Sequence, residues 1–126
     1  MHTNTFEMAR IGRMDSFDVV VFTDDSGTVP HVHIIDSATR GQEFDTCIQL
    51  GTNKYFLHDN RRDILIDEQC EAFNTFMNAA HSNTHYRNNY EYALNMWNDN
   101  NTGSYIQLKE DSNGNIILPD YNTITR

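Results

Sequence analysis

Apolar positions along this chain follow a period of two through the first half and a period of three to four through the middle. Phe17-Asp18-Val19-Val20-Val21-Phe22 is a β-branched and aromatic run closed by the turn cluster Thr23-Asp24-Asp25-Ser26-Gly27. Val29 to Ile35 predicts the next strand. Successive side chains alternate faces, so Val32 and Ile34 lie on one face and His31 and His33 on the other. After a loop at Ser37 to Gly41, the residues Phe44, Thr46, Ile48 and Leu50 alternate with Asp45, Cys47 and Gln49. Gly51-Thr52-Asn53 then turns into a further strand at Lys54 to His58, and Phe6 to Ile11 is a weaker first strand.

The period changes after that. Ile66, Cys70, Phe73, Met77 and Ala80 step by three or four, which stacks them on one helix face. Asp67 stands at the expected N-cap, with Glu68 placed for the helix dipole. Tyr86, Tyr90, Ala93, Leu94 and Trp97 form a second stripe. Asn88 followed three residues later by Glu91 has the form of a capping box, which leaves Tyr86 just ahead of the helix. Asn98 through Gly103 stops it. Ser104 to Leu108 and Asn115 to Leu118, around Asp111-Ser112-Asn113-Gly114, read as a hairpin or extended arm ended by Pro119. Strands first and helices after predict an α+β fold: an antiparallel β-meander of four to five strands, two α-helices packed on one face, and a short C-terminal hairpin or arm. Parallel βαβ units do not fit this order. Residues 1–126 are one domain by length, with no linker or repeat dividing them.

Composition adds limits. The 15 asparagines suit turns and caps rather than a core, because their short amides bond the local backbone. A formal charge of −9 argues against direct nucleic-acid binding, which needs clustered Lys and Arg, and against an anionic membrane surface. The acidic residues are scattered, as on a solvated surface, and any partner is expected to be a protein or a second copy of the chain. The N-terminal residues lack the charged and apolar regions of a signal peptide, and no run approaches membrane length, so a cytoplasmic location in a bacterial or phage-infected cell is expected. Cys47 and Cys70 are not in a metal-type spacing and read as buried reduced thiols acting as small hydrophobes.

The one hint of chemistry is Pro30-His31-Val32-His33 together with His58, which could converge if the next strands pair alongside. Two or three imidazoles hold a transition-metal ion such as zinc, and three with a water make an open, hydrolytic-type centre, to which Asp36, Glu43 or Asp59 could add a carboxylate. The plainer reading is that a His-x-His step on a half-exposed sheet face serves the structure and needs no cofactor. Arg61-Arg62 is a doubled basic step that could clamp an anion, though such pairs commonly belong to solvated turns. His81 and His85, four apart, flank the poor helix former Ser82-Asn83-Thr84 and belong to an inter-helix turn. Tyr86, Tyr90 and Trp97 fit a core stripe better than a base-stacking platform, with Tyr92 on another face. No Gly-x-Ser-x-Gly elbow, Gly-rich phosphate loop or His-Glu-x-x-His motif is present, so no catalytic residue is named. The third histidine of the histidine-triad nucleotide hydrolases is replaced by Ile35, and the Pro-x-Gly of cupins is absent.

Val29-Pro30-His31-Val32-His33-Ile34 and Leu94-Asn95-Met96-Trp97-Asn98 together resemble an uncharacterised bacterial and phage family. That family has a Pro-His-Phe-His-Val strand followed by a sheet and two helices, the second ending near a Trp. The likeness runs over residues 17–100, and the loop from Ser37 to Gln42 and the tail depart from it. The chain is similar also to small asparagine-rich proteins of gut bacteria and their phages. The resemblance implies an accessory protein of mobile-element, defence or counter-defence type and supplies no activity. The expectation is therefore a non-catalytic protein-interaction module, with His31, His33, His58, Arg61 and Arg62 as its binding residues. The alternative is a small metal-dependent hydrolase or ligand-binding protein using His31, His33 and His58.

Overall fold

Asp15 and Ser16 fold the first two strands back on each other. Met14 pairs with Phe17, and Asp15 takes φ 56°, a left-handed conformation that aspartate tolerates better than most residues. The computed structural model describes residues 8–22, 30–50, 55–56, 65–101, 106, 109–117 and 124–125. In it β1 (Met8–Met14), β2 (Phe17–Phe22), β3 (His31–Asp36) and β4 (Asp45–Gln49) form one antiparallel sheet in sequence order, the expected meander. The helices are α1 (Asp67–Asn78) and α2 (Asn89–Asn100).

The alternation read from the sequence sets the two faces. Val19 and Val21 of β2, Val32 and Ile34 of β3, and Ile48 of β4 with Leu50 just beyond it pack with Phe73 and Met77 of α1 and with Tyr90, Ala93, Leu94 and Trp97 of α2. A bulge between Arg10 and Gly12 brings Ile11 into this core. A Cβ on Gly12 would stand 2.8 Å from the Phe76 ring, so the absent side chain is what lets α1 approach β1. The opposite face is buried too: Val20, His31, Ile35 and Cys47 are all at most 2% exposed and His33 is 7% exposed.

Between β3 and β4 the loop closes on Asp36, whose carboxylate accepts from the Thr39 hydroxyl and from the amides of Thr39, Gly41 and Phe44. The Thr39 side chain first, and then those amides against an opposing effect of burial, hold the Asp36 carboxyl down at about 2. Gly41 completes the turn at φ 91°, where a side chain would also press on Ile35.

Asparagines close the helices. Asn88 Oδ1 accepts from the Glu91 amide as the N-cap of α2, and Asn89 donates to the Phe76 carbonyl at the end of α1. Asn101 donates to the carbonyls of Trp97 and Phe22, tying the end of α2 to the end of β2. The C-terminal hairpin lies around a Glu110–Ile116 bridge, with Asp111 accepting from the amides of Asn113 and Asn115. Arg87 holds it against α2, bonding Glu110, the Gly114 carbonyl and Glu91.

Three expectations change. Of the run Lys54 to His58 the described residues are Tyr55–Phe56, which form β5 and pair in parallel with β6 (Ile124–Thr125) instead of extending the meander. A parallel pair needs a long crossover, and the helices lie within it. Asp67 is the first residue inside α1, while Ile66 is the N-cap; its amide donates to Gln69 Oε1, the half of a capping box that needs no side-chain acceptor. Ile66 and Ala80, expected on the buried stripe, are exposed because α1 begins after one and ends before the other. Tyr86 lies ahead of α2 as the Asn88 cap implied, half-buried and edge-on to Tyr92, which stacks on His81 with ring centres 3.8 Å apart.

Candidate metal centre

His31 and His33 are two apart on β3, and the register sets His33 directly opposite Cys47 of β4. Asp45, two residues before Cys47, shares its face and lies diagonally across from His33. Antiparallel pairing thus turns a His-x-His step and an Asp-x-Cys step into one layer of four polar groups.

His31 Nε2 and His33 Nε2 stand 3.2 Å apart, and Cys47 Sγ lies 3.5 and 3.7 Å from Nδ1 and Nε2 of His33. One ligand atom from each of His31, His33 and Cys47 can be chosen so that all three lie within 4.8 Å of one another. Zinc–nitrogen and zinc–sulfur bond lengths with tetrahedral angles put donors about 3.3 Å apart for two nitrogens and about 3.6 Å for nitrogen and sulfur. Both His33 Nε2 distances match. The remaining pair, His31 and Cys47, falls within the same 4.8 Å. His33 Nδ1 is 2.8 Å from Asp45 Oδ1. A carboxylate there accepts from an Nδ1–H, the tautomer that leaves Nε2 bare beside His31 Nε2.

The surroundings are apolar. The Phe22 ring meets His33 edge-on at 4.4 Å between centres, and Trp97 lies 5.1 Å from His31. The expected half-exposed histidine face is therefore corrected to a closed one. A buried imidazole–imidazole–thiol set suits a structural ion more than an open hydrolytic centre.

His31 and His33 converge as expected. Their third partner among the described residues is Cys47, while His58, Arg61, Arg62 and Asp59 lie outside those residues. The carboxylate beside the site is Asp45. Asp36 points to the other face and closes the loop, and Glu43 is exposed. Alternation places Cys47 and Asp45 together, opposite Thr46 and Ile48, but sequence spacing hides their partnership with the histidines because they lie on a different strand. His81 keeps its turn role, with Nδ1 accepting from the Asn83 amide.

Comparison with protein-family models, curated proteins and solved structures finds no match to this chain. Among the described residues no helix is long and apolar enough to cross a membrane.

Proposed function

We propose that this protein binds a transition-metal ion of the zinc class in a closed centre made by His31, His33 and Cys47. The observation that carries this reading is the convergence of three buried donor atoms within 4.8 Å of one another. Imidazole and thiolate are borderline and soft ligands, which favour zinc or monovalent copper over magnesium or calcium. Bound there, the ion staples β3 to β4 beside the end of α2. Closed sites of this kind contribute folding energy.

The interaction-module reading draws no continuous face from the described residues, where the exposed large apolar side chains Met8, Ile66 and Ile117 stand on three different segments. The strand likeness to a bacterial and phage family supports placing the metal protein in accessory biology.

Trp97, the chain's one tryptophan, adjoins His31 and reports on the site. Zinc or cobalt(II) titrated into the untagged protein should change Trp97 fluorescence saturably at one equivalent. Cobalt(II) should also give a thiolate-to-metal charge-transfer band that Cys47→Ser abolishes. A fluorescence trace that stays flat through excess of either metal would overturn the proposal.

A further inference from the structure

We infer that Asp45 orients this centre, fixing His33 Nε2 as its metal-facing nitrogen; the inference rests on the metal reading above. Asp45 opens β4, with its side chain 20% exposed, and His33 is 9% exposed by the same measure. Its Oδ1 is 2.8 Å from His33 Nδ1. Each neutral imidazole has one protonated and one bare nitrogen, and the protonated one cannot ligate. By accepting the Nδ1 proton, Asp45 selects the tautomer in which Nε2 is bare, 3.2 Å from His31 Nε2 and 3.7 Å from Cys47 Sγ. A carboxylate on the far nitrogen also raises the basicity of the ligating one, and removing such a partner weakens metal binding by about 10- to 100-fold.

The position suits the task. Asp45 reaches His33 along the diagonal of the β3–β4 pair, whose His33–Cys47 rung it neighbours, so one hairpin supplies ligands and orienter together. Asp45 is a positioning residue, because its oxygen meets the imidazole and is not among the three donors His31, His33 and Cys47.

Zinc affinity, measured by competition with a chromophoric chelator, tests this in the parent, Asp45→Asn and Asp45→Ala proteins. Asparagine keeps an accepting oxygen and should hold zinc within a few-fold of the parent, with an unchanged cobalt(II) spectrum. Alanine should bind about 10- to 100-fold more weakly, with an altered spectrum. Where alanine does not fold, Asp45→Val, a better strand former with no acceptor, carries the same expectation. Undiminished affinity in the alanine or valine variant would overturn the role of Asp45 while leaving the metal reading intact. Equal losses in the asparagine and alanine variants would overturn it as well, by showing that charge rather than orientation matters. A parent protein that takes up no zinc would remove both.

Discussion

Two side chains show how differently a polar group fares in this sheet. Thr46 is fully buried on the core face and its hydroxyl has no hydrogen-bond partner among the described residues. An unmet buried hydroxyl costs about 1–3 kcal/mol, and valine keeps the shape while removing it. Thr46→Val should therefore raise stability by about 1 kcal/mol, read as a higher denaturant midpoint with an unchanged slope. Asp36 is the satisfied counterpart. Its carboxyl lies at about 2 in the folded chain against an ordinary 3.8. A depressed acid stabilises the fold above its unfolded value and loses that contribution as pH falls through the folded one. Melting temperature should thus fall between pH 3.8 and about 2. That acid slope should be shallower in Asp36→Asn, and an identical slope in the two proteins would remove Asp36 from the explanation. Asp111, held by the Asn115 and Asn113 amides, shifts in the same direction and supplies part of the remainder.

At the level of elements, asparagine decides where the helices end. Asn88→Ala removes the side-chain acceptor of the Glu91 amide at the start of α2 and should cost about 1 kcal/mol in equilibrium unfolding. No change would mean that the Arg87–Glu91 contacts hold this end without the cap. The Asn88–Glu91 spacing was legible in the sequence because a cap is a local device. The strands were legible for the same reason, since alternation at Val32 and Ile34 or at Thr46 and Ile48 is local. Asn101 bonding Phe22, 79 residues away, was not. Nor was the parallel pairing of β5 with β6, which depends on where the helices deliver the chain.

In the molecule as a whole, strand β3 and the middle of β4 are buried on both faces, and the polar layer lies on the face opposite Val32, Ile34 and Ile48, with His31 reaching Trp97 of α2. Period-two patterning put His31 and His33 on one face and Cys47 opposite Ile48. Only the register of β3 against β4 joins them, and register is set by the Asp36 loop rather than by any motif. That is why the histidine pair was legible and its cysteine partner was not. A ligand that binds only the folded state stabilises it by about 2.7 kcal/mol at a hundredfold excess over Kd. Zinc should accordingly raise the melting temperature of the parent and leave that of Cys47→Ser unmoved.

Elemental analysis bears most directly on the metal centre. Untagged protein, purified without chelator and then equilibrated with zinc and desalted, is compared with His33→Ala and Cys47→Ser. One equivalent of metal in the parent and a clear loss in both variants is the expected result. A parent protein free of metal after loading, or variants that retain the full equivalent, would contradict a centre built by His31, His33 and Cys47.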